Sequence, residues 1–322
     1  MTDPRVSIII PTHNGASTIG LQLEALRRQE DAPSFEVIVV DNNSTDHLQD
    51  VLQDLVDNGT YALRLVRAAD HKGSSYARNV GLGFARAEFV QFCDDDDVVS
   101  RFWVRNGLAA SKTVPIWSGS ALPKTPDLFT STLDRVWKDL GCIDAVASIP
   151  GASQPGKFPV LMGGNFGGRR TTLDSLRGFD QRFAHHGDDN DLAARSVAAG
   201  FGVPLAPAVS IAYRGRYGTR DLLRRGFYAS RAKRLLRTVH GPDPASPTRP
   251  WPIAALRLLI ATLLNPVRQR LSALDLLLRW SYLLGDISGY LRFVCPGSPP
   301  PPQIGLGIGE GTEVPLAPPE AL

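Results

Sequence analysis

Phe89-Val-Gln-Phe-Cys-Asp-Asp-Asp-Asp97 sets a short apolar run directly against four carboxylates. Residues 88–93 have the length and composition of a buried strand, so the acids stand at its carboxyl end. Two carboxylates about 5 Å apart repel by roughly 3 kcal/mol at an effective dielectric of 20, but by under about 1 kcal/mol in bulk water. A solvated loop tolerates such a cluster, whereas a cleft tolerates it only beside a cation. Hard divalent ions take carboxylate oxygens and often bridge to phosphates. An isolated Asp-x-Asp is a weak signal, and the flanking sequence has to decide.

Upstream, Val6-Ser-Ile-Ile-Ile10 is a β-branched run closed by Pro11, which predicts a buried strand. Ile19, Leu23 and Leu26 then recur at helical spacing. Phe35 to Val40 predicts a second strand, ended by Asp41-Asn-Asn-Ser44, and Leu48, Val51, Leu52, Leu55 and Val56 mark an amphipathic helix. Leu63 to Val66 is a short strand and Ser75 to Ala87 a helix. Alternation at this spacing predicts a mostly parallel α/β sheet, whose ligands bind outside the carboxyl ends of the strands. Pro11-Thr-His-Asn14, Asp41-Asn-Asn-Ser44 and the aspartate run all fall at such ends.

Downstream, residues 110–160 are interrupted by Pro, Ser and Gly and are expected to form a connection over the sheet. Residues 160–213 return to apolar strands around a Gly-rich, acidic centre. Beyond them the chain becomes helical, and Ala273, Leu277, Trp280, Leu284, Ile287, Leu291 and Val294 form one apolar stripe. The stripe can pack on the rest of the chain, pair with a second copy or lie on lipid. From Pro296 the composition predicts disorder. Gly305-Leu-Gly-Ile-Gly309 lacks the strand and helix that a phosphate-binding loop needs.

The 322 residues suffice for one large domain with additions, or for two domains, and a hydrophobic share of 43% is globular. A net charge of +3 argues against a general nucleic-acid binder. The charge is uneven, however: from Arg214 to Arg237 Asp221 is the sole acid. Such a basic run suits an anionic membrane surface or a lipid-diphosphate acceptor, or is a solvated helix face. Cys93, Cys142 and Cys295 form neither a disulfide framework nor a metal motif. With no signal-peptide pattern and no apolar run of about 18 residues, the expected location is cytoplasmic, with peripheral contact at the inner face of the cell membrane.

Taken in order, these segments resemble family 2 inverting glycosyltransferases of the GT-A fold. The resemblance rests on Val6-Ser-Ile-Ile-Ile-Pro-Thr-His-Asn14, Val37-Ile-Val-Val-Asp-Asn-Asn-Ser-Thr-Asp46, Gly73-Ser-Ser-Tyr-Ala-Arg-Asn-Val-Gly81 and the aspartate run. It continues through Gly163-Gly-Asn165, Gly178-Phe-Asp180 and His186-Gly-Asp-Asp-Asn-Asp-Leu192 with Arg195, covering roughly residues 5–215. It implies a GT-A catalytic domain over 1–215, to which composition and periodicity add a basic, amphipathic helical region over 216–295 and a disordered Pro/Gly-rich tail over 296–322.

The resemblance also implies roles. Asp41 would accept a hydrogen bond from the nucleotide base, although an Asx turn or a helix cap explains an Asp there equally. Pro11, Thr12, His13 and Asn14 would line the base and ribose pocket. Arg78 would approach the base or diphosphate; the alternative is a surface arginine. Asp94 and Asp96 match the family's Asp-x-Asp and would hold Mn or Mg against the diphosphate, with Asp95 beside the donor. Asp189, with Asp188 before it, matches the general base, and Asn165 would sit near donor sugar or acceptor. Asp191 reads as structural.

Tyr213 stands where many members have a His that contributes to metal or phosphate binding, which leaves Arg214 or Arg216 to hold the diphosphate. The implied partners are a nucleotide-sugar donor and a glycan, polysaccharide or lipid-linked acceptor of the cell envelope. Two rivals stay open: an aspartyl-nucleophile phosphohydrolase built on Asp94-x-Asp96, and a non-catalytic nucleotide-binding relative.

Overall fold

The computed structural model describes residues 3–56, 61–141, 159–184, 186–215, 217–242, 250–268 and 271–316. Its first half alternates as the apolar periodicity predicts: β1 (Val6–Thr12), α1 (Ile19–Arg27), β2 (Phe35–Asp41), α2 (Leu48–Val56), β3 (Ala62–Arg67), α3 (Ser74–Phe84) and β4 (Phe89–Cys93). Every residue of β1, β2 and β4 is buried, because helices cover both faces of this part of the sheet. Ile8, Ile10, Val37 and Val39 face one core, while Ile9, Ile38, Val40 and Phe92 face the other. Each such side chain contributes about 2 kcal/mol by leaving water.

Next come β5 (Val98–Val99), α4 (Trp103–Thr113), β6 (Ile116–Lys124), α5 (Leu133–Leu140), β7 (Asn165–Arg169), α6 (Arg170–Ser175), α7 (Asp188–Ala198) and β8 (Leu205–Arg214). Three helices follow, α8 (Thr219–His240), α9 (Trp251–Arg268) and α10 (Ala273–Phe293), and a last strand β9 (Thr312–Val314). The nine strands form one sheet in the order β5-β8-β6-β7-β4-β1-β2-β3-β9. β1 pairs in parallel with both β2 and β4, so the strand order reverses at β1. That reversal opens a crevice at the carboxyl ends of β1 and β4.

The α/β sheet is as expected, parallel over β4-β1-β2-β3 and mixed elsewhere, since β7 runs antiparallel to both β4 and β6. The supposed connection over the sheet contains β6, an interior strand whose Ser118, Gly119, Ser120 and Pro123 hide its apolar pattern. The remainder of that stretch, 142–158, lies outside the described residues.

Residues 296–316, within the stretch expected to be disordered, contain a paired strand. β9 pairs antiparallel with β3, and its Glu313 forms a two-pronged ion pair at 2.9 Å with Arg64, which also reaches Glu36. The glycines before it lie against α3: Asn79 Nδ2 donates to the Leu306 carbonyl and Tyr76 Oη to Glu310. Gly307, at φ +106°, comes so close to the Tyr76 ring that a side chain there would collide with it.

Candidate active site

Asn14 takes the left-handed conformation, φ 58°, that an Asn tolerates at the end of β1. Its backbone N–H donates to Ser44 Oγ and its Oδ1 accepts from the Thr45 N–H, so it ties the β1 loop to the β2 loop. His13 Nδ1 lies 2.8 Å from the Asn42 carbonyl. Asp41 Oδ1 accepts from the N–H of Ser44, three residues on, at 2.9 Å and so fastens the turn after β2, while Oδ2 lies 3.9 Å from Arg67. Thr12 Oγ1 is buried without a partner among the described residues. These loops flank the aspartate run directly, because a Cβ on Gly15 would strike Asp95 Oδ2.

Arg78 is the centre of the site. It is 5% exposed, on the first turns of α3, and its guanidinium spans two acidic motifs far apart in sequence. Nη2 lies 2.9 Å from Asp94 Oδ1 and Nη1 lies 2.8 Å from Asp188 Oδ2. Both bonds are charge-assisted. The surface-arginine alternative is thereby removed.

Asp189 is the next residue on α7, whose amino terminus it occupies with Asp188 and Asp191. Its Oδ1 accepts from the backbone and side-chain amides of Asn190, and its Oδ2 accepts from the Gly163 N–H at 3.2 Å. Burial and the neighbouring Asp188 charge raise its pKa to about 7, against the opposing pull of Arg78 and these amides. A Cβ on Gly163 would lie 3.1 Å from Asp189 Oδ2 and 3.5 Å from Arg78 Nη2. The Gly163-Gly164 pair therefore lets backbone pass between the carboxylates. Asp191 is structural, bonded to Arg195 Nε and His240 Nε2 at 2.8 Å each.

The aspartates divide by environment. Asp94 is pushed upward by burial and by Asp96, with Arg78 opposing. Asp97 is pushed further, by burial and then Asp94 and Asp96; its Oδ1 accepts from the Arg214 N–H, while its buried Oδ2 has no partner among the described residues. A Cβ on Gly164 would lie 2.6 Å from Asp94 Oδ2 and 3.2 Å from Asp97 Oδ2, so both oxygens face the same gap. Crowded, under-compensated carboxylate oxygens fit a hard divalent cation, which takes one or two of them and completes its shell with phosphate. No cluster of three ligating side chains is assembled among the described residues.

Two of the expected residues are held by protein partners. Asn165 is fully buried and spends its amide on the protein: Oδ1 accepts from Trp103 Nε1, and Nδ2 donates to the carbonyls of Ser120 and Val209. It plugs the irregular pairing of β6 and β8 beside Gly119. Arg214 is also engaged, its Nε donating to the Asp96 carbonyl and its guanidinium 4.4 Å from the centre of the Phe129 ring. Arg216 and His185 lie outside the described residues. Asp97 and Gln22, whose amide bonds the Asp94 carbonyl and the Val99 N–H, escaped the sequence reading. Asp97 lay hidden in a run of identical residues.

Residues 7–113 match the sequence pattern described as glycosyl transferase family 2. The match falls on the amino-terminal third of the chain. The matched span runs from β1 through α4 and holds Asp41, Arg78 and the aspartate run. Across 75% of its length, the chain is 26% identical to a pre-mycofactocin glycosyltransferase of Mycobacterium tuberculosis, covering 49% of that relative. Over 34% of the chain it is 32% identical to the Escherichia coli UDP-Glc:alpha-D-GlcNAc-diphosphoundecaprenol beta-1,3-glucosyltransferase, covering 40% of it. The chain thus spans about half or less of the length of these relatives.

Among solved structures, a mannosyltransferase from Pyrobaculum calidifontis in complex with GDP-Man and Mn2+ superimposes with a TM-score of 0.60 at 22% identity, over 90% of this chain and 88% of the other. The architecture is GT-A, with a helical carboxyl-terminal part.

Proposed function

We propose that the protein is an inverting glycosyltransferase that moves a sugar from a nucleoside-diphosphate sugar to an acceptor hydroxyl. One observation carries this reading: Arg78 joins Asp94 to Asp188, so the acidic end of β4 and the start of α7 share one crevice with Asp189 on its wall. A carboxylate with a pKa of about 7 is poised to accept a proton at neutral pH.

In this mechanism Asp189 removes the acceptor hydroxyl proton as the oxygen attacks the anomeric carbon. The bond to the diphosphate breaks on the opposite face of the sugar, which inverts the configuration. Arg78 offsets charge growing on the leaving diphosphate, and Asp188 holds Arg78 in place. The loops of Pro11, Thr12, His13 and Asn14 and of Asp41 take the nucleoside, with Asp95 beside it. Asp94 and Asp96 would hold Mn or Mg, which supplies charge neutralisation to the diphosphate when bound. Asn165 has only a supporting role. A glycan or lipid-linked acceptor is in keeping with the diphosphoundecaprenol acceptor named for the Escherichia coli relative. Residues 1–215 would form the catalytic unit, with β9 completing its sheet.

The phosphohydrolase alternative would make Asp94 a nucleophile, but Asp94 follows the fourth strand and is bound to Arg78. The test is a melting screen with nucleoside diphosphates, with and without manganese, followed by donor turnover. A native-state ligand raises stability, so at least one nucleoside diphosphate should raise the Tm, and more so with manganese. Hydrolysis of p-nitrophenyl phosphate through a phospho-aspartate at Asp94, with no nucleotide effect on the Tm, would overturn the proposal.

A further inference from the structure

The first turn of α7 is roofed by α8, and between them lies a cavity of about 470 Å3. α8 is anchored at its far end by the bond between His240 and Asp191. At the cavity, Gly187 has φ +87° and its missing side chain would meet Ala232 and Leu236, so small residues on both helices set the spacing. Asp189 and Asn190 form one wall; Arg225, Lys233 and Arg237 stand on the opposite one. Among the described residues, Asp189 is the one acid that lines the cavity with these three cations.

We propose that this cavity receives the acceptor and that the acceptor carries a phosphate or diphosphate group, held by Arg225, Lys233 and Arg237 while its hydroxyl meets Asp189. This inference rests on the transferase reading and gives it a substrate class. A neutral glycan has no use for three cations beside its nucleophile, whereas phosphate oxygens accept from Arg and Lys through strong charge-assisted bonds.

The full chain would be titrated by calorimetry with octyl phosphate, inorganic phosphate and the neutral octyl glucoside. Octyl phosphate should bind more tightly than octyl glucoside, and R225E/K233E should weaken it at least about tenfold without lowering the Tm. Comparable binding of inorganic phosphate supports a water-soluble phosphorylated acceptor, and a requirement for the alkyl chain supports a lipid-borne one. Equal affinity for the neutral ligand, or unchanged binding in the double variant, would overturn the inference. The readout needs no turnover, so its failure is distinct from failure of the donor assay.

A second observation stands independently. On α9, Ile253, Leu256, Leu259, Ile260, Leu263 and Leu264 are 36–67% exposed and share one arc of the helix. The opposite arc is the packed one: Leu258 is buried and Thr262 accepts from Trp280 on α10. No helix among the described residues is long and apolar enough to cross a membrane. Helices α8 to α10 carry eleven Arg or Lys against three Asp, a balance complementary to anionic lipid.

The geometry points to the outer arc of α9 lying in the interface of an anionic bilayer. In vesicle flotation the full chain should rise with phosphatidylglycerol, rise less with phosphatidylcholine, and lose most of its binding in L256E/L263E. Equal flotation of the double variant overturns this. So does a solution dimer that L256E/L263E splits, in a protein that binds neither vesicle.

Discussion

Replacing Arg78 with Met tests the centre of the site. Met keeps much of the stem volume but removes the only cation bonded to both Asp94 and Asp188 among the described residues. Removing one partner of a buried ion pair costs about 3–5 kcal/mol. The low end applies, because the Asp188 side chain is 8% exposed but that of Asp94 is 32% exposed and can recover water. A loss of about 3 kcal/mol at pH 7.5 lowers the Tm of a chain this size by roughly 4–5 °C, since the unfolding entropy is about 2.1 cal/mol/K per residue.

The sign of the pH dependence is determined. Without Arg78, Asp94 and Asp189 lose the cation that opposes their upward shift, so their folded pKa values lie further above their unfolded ones. Their protonated forms then favour folding below about pH 4, and that contribution is lost as pH rises through the folded values. The gap between wild type and R78M should therefore be small near pH 4.5 and widest above pH 7. R78K, which keeps one charge but not the two-armed reach, should fall between them. Paired thermal melts at five pH values measure this. A Tm for R78M within 2 °C of wild type at every pH would refute the idea that the acids converge on this residue.

Asp189→Asn should reduce transfer by about 100-fold or more, yet raise the Tm at pH 8, because it removes a buried carboxylate whose ionisation opposes folding; retained transfer in this variant contradicts the base assignment. For the wild type, kcat/KM should rise with pH through about 7, as Asp189 must be ionised to act. Asp188→Asn should move this limb to lower pH by removing a neighbouring charge, and an unmoved limb would assign it to another group. Electron paramagnetic resonance of Mn2+ should show weaker binding in D94N and D96N than in wild type, with nucleoside diphosphate strengthening the wild-type signal; equal affinities would move the metal elsewhere. Ending the chain at residue 302 should lower the Tm by roughly 5 °C, since Arg64 then loses Glu313 and Tyr76 loses Glu310; an unchanged Tm would mean the tail strand is ornamental.

The parallel half of the sheet was legible because β1, β2 and β4 are covered on both faces and so read as unbroken apolar runs. β6 was not, since its middle residues are chosen for close approach to β8 and Asn165, and that constraint selects Gly and Ser. β9 spans three residues, and its stability comes from the β3 edge and from Arg64 rather than from its own composition. At the site, acids were visible as types at strand ends, but their division of labour was not. Arg78 looked equivalent to any helix arginine until the fold carried Asp188 to it. Asn165 sat in the expected motif, but its amide is consumed by three protein partners. Asp41 spends Oδ1 on the Ser44 N–H, three residues on, so it does hold the local turn.

The glycine-rich stretch ahead of β9 also bears on how this protein is handled. Asn79, the residue after Arg78, is clamped on both sides, its amide donating to the carbonyls of Phe179 and Leu306. The stretch around Leu306 is thus part of the seat of the helix that carries the guanidinium. An affinity tag or a protease nick near residue 306 would act at the catalytic crevice from behind, and preparations differing only there could differ in specific activity while sharing every residue that touches substrate.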